Sequence, residues 1–69
     1  MPLTMAKIGE KQQIVKINGK DETKRFLEKL GFVEGTEITV VSVLSGNMIV
    51  NVKETRVALD RSMANRIIV

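Results

Sequence analysis

Asp21 and Glu22 are the only carboxylates adjacent in the sequence, among eight Asp and Glu in all. Such a pair could help hold a hard cation through oxygen ligands. Its position argues for a simpler role: at the start of an amphipathic stretch, Asp21 can accept hydrogen bonds from the free N–H groups of a helix terminus, and both charges suit its dipole. The chain has neither His nor Cys, which removes the commonest general base, the commonest metal ligand, any thiolate nucleophile and every disulfide. A Ser–Lys arrangement is the only nucleophile left, and so short a chain offers no large concave scaffold to build it on. Gly19-Lys20 fails the phosphate-cradling pattern Gly-x-x-x-x-Gly-Lys-Ser/Thr at both ends, because position 14 is Ile and position 21 is Asp. Gly9, Gly19, Gly31, Gly35 and Gly46 nowhere form Gly-x-Gly-x-x-Gly, and each stands where a turn or a helix end needs it. No catalytic residue, metal ligand or cofactor site is therefore expected, and the chain reads as a non-enzyme.

The elements that would carry any other function follow from apolar spacing. Leu3-Thr4-Met5 alternates and reads as a short strand or extended lead-in, with a turn over Ala6 to Glu10. Lys11 to Ile17, weighted by Ile14, Val15 and Ile17, reads as a strand closed by Asn18-Gly19. After Asp21, the residues Thr23, Phe26, Leu27 and Leu30 recur at i, i+3, i+4 and i+7, which predicts a surface helix over about 21–30 whose Phe-Leu-Leu edge faces the core. Gly31 stops it as the left-handed C′ residue, setting Phe32 to pack on Leu27. Glu34-Gly35 turns the chain into a strand over Thr36 to Leu44. Ser45-Gly46-Asn47 breaks it, and Met48 to Lys53 returns as a hairpin partner with Met48, Val50 and Val52 on one face. Glu54-Thr55 reads as a turn, Arg56 to Leu59 as a strand with Val57 and Leu59 inward, Asp60 to Asn65 as one helical turn capped by Asp60 or Ser62, and Ile67 to Val69 as a last strand. Five or six short strands in 69 residues cannot bury an apolar face while flat. The reading is thus mostly β, one domain over 1–69, curled into a small partly closed barrel with the helix over one opening.

Composition narrows the partners. The net charge of +3 is spread along the chain, seven basic against five acidic residues up to Gly35 and four against three after it, so no cationic block marks a phosphate backbone. Binding of single strands needs aromatic stacking platforms. The only aromatics are Phe26 and Phe32, both assigned above to the core. A small RNA-binding barrel is therefore the weaker alternative, and nucleic acid is not expected as a partner. No run approaches the 18 apolar residues of a membrane span, and the absence of Cys suits a reducing cytoplasm.

One surplus is left over. If Ile38 and Val40 point inward, Val41 and Val43 point outward unless Ser42 marks a bulge, and Ile49 opposes the Met48-Val50-Val52 face. Val41, Val43 and Ile49 are accordingly the candidate residues for contact with another protein, although exposed branched residues also reflect strand propensity alone.

The stretch Leu30-Gly31-Phe32-Val33-Glu34-Gly35-Thr36-Glu37-Ile38-Thr39-Val40, placed after an amphipathic helix, resembles the Leu-Gly-apolar-x-x-Gly-Thr-x-apolar-x-apolar signature of the FeoA family. The opening Leu3…Ile8-Gly9-Glu10, the strand Ile14-Val15-Lys16-Ile17, Met48-x-Val50-x-Val52, Arg56-Val57-Ala58-Leu59 and Ala64…Ile67-x-Val69 follow in family order. The chain departs from the pattern at Glu34, where the family often has Pro, and at Glu54-Thr55, where Gly commonly opens the turn. In this resemblance Leu30, Gly31, Phe32 and Gly35 are structural motif residues. It implies an SH3-like barrel in the cytoplasm, an accessory of ferrous iron uptake that contacts the GTPase region of the FeoB membrane transporter and meets the membrane only through it. Transition-metal binding is implied at the level of the family only. A second copy of the chain is a further candidate partner, and the same fold occurs as a regulatory module in metal-responsive repressors.

Overall fold

The computed structural model describes residues 1–19 and 21–69; Lys20, half of the Gly19-Lys20 pair discussed above, lies outside them. The described chain runs through strands β1 (Lys11–Gln13) and β2 (Lys16–Ile17), helix α1 (Asp21–Lys29), strands β3 (Glu37–Leu44), β4 (Asn47–Val52) and β5 (Thr55–Asp60), a helical turn α2 (Arg61–Ala64) and strand β6 (Ile67–Ile68). Four strands form an antiparallel sheet in the order β1-β3-β4-β5, and β2 pairs antiparallel with β6 in a separate two-stranded sheet. The architecture is mostly β as the spacing predicts, but the barrel is not closed: no ladder joins β5 to the two-stranded sheet among the described residues.

The stretch 11–17 is not one strand. At Ile14 and Val15 it passes from one sheet to the other: the Ile14 N–H donates to the Thr36 carbonyl (2.9 Å) and the Val15 N–H to that of Ile68 (2.7 Å). Two sheets thus share one segment, which is how a short chain encloses a core without long strands. Leu3–Met5 is a 3-10 turn rather than a strand. Two i to i+3 bonds close it, Met5 N–H to the Pro2 carbonyl and Ala6 N–H to that of Leu3, and the Thr4 hydroxyl ties it to Asn65 Oδ1 at 2.7 Å. Leu3 is fully buried while Met5 is 68% exposed, so the apolar alternation there does not mark one buried face.

Helix α1 begins on Asp21 and Glu22 and ends as the glycine predicts. Gly31 has φ +104°, its N–H donates to the Glu28 carbonyl at 3.0 Å, and the Phe32 N–H donates to that of Leu27 at 3.0 Å. These are the two bonds of a Schellman end. Leu27 and Phe32 are both fully buried, and Leu30 packs on the same cluster. Phe26 is the exception: it is half exposed. With nine residues, α1 (Asp21–Lys29) turns only one narrow stripe inward, and Leu27, about 100° further round, fills it.

The core is one cluster built from Leu3, Ile14, Ile17, Leu27, Phe32, Ile38, Val40, Met48, Val50, Val52, Leu59, Ala64 and Ile67. Both hairpins close through two-residue turns with positive φ at each central position, Ser45 (48°) and Gly46 (84°), then Lys53 (48°) and Glu54 (64°). That is the type I′ geometry matching strand twist. The second turn is one residue earlier than Glu54-Thr55 and contains no glycine.

Candidate protein-contact surface

Register across the four-stranded sheet decides which side chains share a face. Ile38 pairs with Val52 and Val40 with Val50, but Ser42, not Val41, pairs with Ile49. Val41 is therefore the extra residue of a β-bulge, and with Ser42 it opposes Ile49 alone. The insertion rephases everything after it. Val43 pairs with Met48, which is buried, so Val43 lies on the core side of the hairpin and is half exposed only because it sits at the open end. There it borders a cavity of about 50 Å³ with Thr4, Gly46, Met48 and Arg61.

Val41, Val43 and Ile49 thus do not make one face. Ile49 belongs to the outer face, in a row running Ser42–Ile49–Ala58 across three strands. Ser42 and Ile49 are half-buried and Ala58 is exposed. Leu44, in the row beyond, is 62% exposed. The row on the other side, Thr39–Asn51–Arg56, is polar, and Arg56 Nε donates to Asn51 Oδ1 at 3.4 Å. An apolar patch of Val41, Leu44, Ile49 and Ala58 therefore adjoins a polar strip. Sequence reasoning missed Leu44 and Ala58, because alternation cannot reveal which residues a bulge brings into line.

The motif residues sit elsewhere, at the joint between α1 and β3. The Gly35 N–H donates to the Ile14 carbonyl at 2.7 Å, and Gln13 Nε2 donates to the Gly35 carbonyl at 3.0 Å. With φ +85°, Gly35 reverses the chain within reach of β1. Leu30, Gly31, Phe32 and Gly35 hold the helix against the sheet and present no reactive group.

The Asp60 carboxyl is likewise explained locally. Asp60 caps α2, its Oδ1 accepting from the Met63 N–H (2.8 Å) and from the Ser62 hydroxyl (2.9 Å). The backbone bond first, and the hydroxyl second, hold its carboxyl below the usual 3.8.

The FeoA domain family matches this sequence over residues 1–69. The chain belongs to the FeoA family. Among solved structures, an iron uptake regulatory protein (FeoA) superposes with a TM-score of 0.89 at 26% identity, covering 97% of this chain and 91% of that one. Stenotrophomonas maltophilia FeoA complexed with zinc, described as a prokaryotic SH3 domain protein, gives 0.86 at 28% identity over 99% and 87%. A manganese-dependent transcriptional repressor gives 0.88 at 17% identity over 97% of this chain and 39% of its own, a likeness of fold. No curated protein matches in sequence.

Family membership raises the question of metal. With neither His nor Cys in the chain, oxygen donors are the only charged ligands on offer. No three Asp or Glu come together among the described residues. No helix among those residues is long and apolar enough to cross a membrane.

Proposed function

We propose that this FeoA-family chain is a non-enzymatic accessory of ferrous iron uptake, acting in the cytoplasm by docking on the GTPase region of a FeoB-type transporter. The observation that carries the reading is the apolar patch on the outer face of the four-stranded sheet. Val41, Leu44, Ile49 and Ala58 are held there by a bulge and two tight hairpins, and Val43 stands at the rim on the opposite face. A patch adjoining a polar strip suits a partner that must bind and release, since contact cores are apolar and their rims polar. The family match over the whole chain and the S. maltophilia relative, described as a candidate ferrous iron transport activating factor, favour iron uptake as the setting. Ferrous iron in this reading is the transporter's cargo, and the accessory needs no ligand set of its own.

The test is titration of the isotope-labelled chain with the purified GTPase domain, with and without nucleotide. Amide shifts confined to β3, β4 and β5 around Ile49, abolished by Ile49→Asp, support docking through this face. Absence of binding in every nucleotide state overturns it.

A further inference from the structure

Strand β5 forms one edge of the four-stranded sheet. Across its six residues it has no Pro, no Lys and no bulge, three of the devices that keep an exposed edge from pairing, and its charges are one of each sign, Arg56 and Asp60. The hairpin fixes which backbone groups are free. In a two-residue hairpin the closing pair, Val52 and Thr55, is hydrogen-bonded, as are the alternate pairs Val50 with Val57 and Met48 with Leu59. The N–H and C=O groups of Arg56 and Ala58, and the N–H of Asp60, then point away from the sheet. The Asp60 carbonyl, as that of an N-cap residue, serves the first turn of α2.

We propose that this edge is a self-association site, where β5 of one copy pairs antiparallel with β5 of a second copy about a two-fold axis through Ala58. In this register Ala58 of each copy exchanges two backbone bonds with the other. The Asp60 N–H of each copy donates to the Arg56 carbonyl of its partner. All of these use free groups and break no existing bond. Side chains agree with the backbone. Arg56 stands opposite the partner copy's Asp60 at both ends of the ladder, and Val57 opposite its Leu59. The Asp60 carboxylate is disposed to take that contact, because Met63 and Ser62 both use Oδ1, leaving Oδ2 without a partner among the described residues. On the outer face the Ile49–Ala58 row continues into its symmetry mate.

The competing register, with the axis through Val57, sets Glu54 against the other copy's Asp60. Like charges directly opposite one another disfavour it. An axis through Leu59 runs the ladder into α2 and shortens it. Charge pairing therefore selects the Ala58 register, and a copy of this chain, being self-complementary there, is the occupant the edge fits best. The site is independent of docking on a transporter and does not require it.

A single strand pair is smaller than a standard interface, so the dimer should be weak and its population should depend on concentration across the micromolar to millimolar range. Sedimentation equilibrium of the full chain across that range should show the mass rising from one copy toward two. Arg56→Glu, which places like charges at both ends of the ladder, should weaken association at least about tenfold. Lys24→Glu, the same charge change on α1, should leave it unaltered, and circular dichroism should show both variants folded. Isotope-filtered NOEs in a mixed labelled and unlabelled sample should connect Val57 to Leu59 and Arg56 to Asp60 between copies. A monomer at all concentrations, equal effects of the two variants, or intermolecular NOEs on another element would overturn the proposal.

Discussion

Glu54 has φ 64° and Lys53 φ 48° in the turn joining β4 and β5, a left-handed conformation that costs a residue with a Cβ about 1–2 kcal/mol. Glycine removes that cost but loses about 0.5–1 kcal/mol through the greater freedom of its unfolded chain. Glu54→Gly should therefore gain a net ~0.5–1 kcal/mol. For 69 residues at ~2.1 cal/mol/K each, the unfolding entropy is roughly 145 cal/mol/K, so Tm should rise by about 3–7 °C. Adding Lys53→Asn, which tolerates the same region, should raise it further and create the Asn-Gly pair preferred in such turns. Thr55→Gly provides the contrast. Thr55 is the first residue of β5 and has no positive φ, so glycine there relieves no strain, brings the entropic loss, removes the hydroxyl that donates to the Lys53 carbonyl at 3.5 Å, and should lower Tm. Thermal unfolding followed by circular dichroism reads all three. An unchanged or lower Tm for Glu54→Gly would refute the claim that backbone strain in this turn limits stability.

Gly31→Ala should destabilise by about 1 kcal/mol in chemical denaturation, although the new methyl has room, its nearest neighbour being Lys53 Cδ at 3.7 Å; the cost is the φ of +104°. Phe32→Ala removes a fully buried ring and should cost about 3–5 kcal/mol, enough to leave so small a chain largely unfolded by circular dichroism. The Asp60 carboxyl titrates lower folded than unfolded, so its cap contributes fully above the unfolded value and is lost as pH falls through the folded one. The Met63 amide resonance, followed on acidification, should move with that titration. Asp60→Asn, which can still cap, should abolish the response.

Much of the fold was legible because local chemistry agreed with the global arrangement. Gly31 and Phe32 announced the end of α1, and Val50 and Val52 their buried face, since one residue type in one geometry satisfied each. Three features resisted for identifiable reasons. Leu3-Thr4-Met5 is too short for its alternation to distinguish a strand from a 3-10 turn, and tertiary contact through Asn65 decides. Phe26 and Leu27 both suit a helical stripe, and only the packed core shows that one fits. The pairing of β2 with β6 joins residues far apart in sequence, which periodicity does not report. The candidate surface is half legible: the branched surplus points to Val41 and Ile49, and of the two alternatives left open at Ser42 the register shows the bulge. The rephasing that sends Val43 to the other face and aligns Ala58 with Ile49 depends on cross-strand register.

The proposed docking sets the outer sheet face of this FeoA-family chain against a FeoB-type GTPase region. Calorimetric titration of that domain with the wild-type chain and with Ile49→Asp, both verified as folded, tests it most directly. Saturable binding by the wild type, and its loss in the variant, is the predicted result. Equal binding by both, or none by the wild type in any nucleotide state, would contradict it.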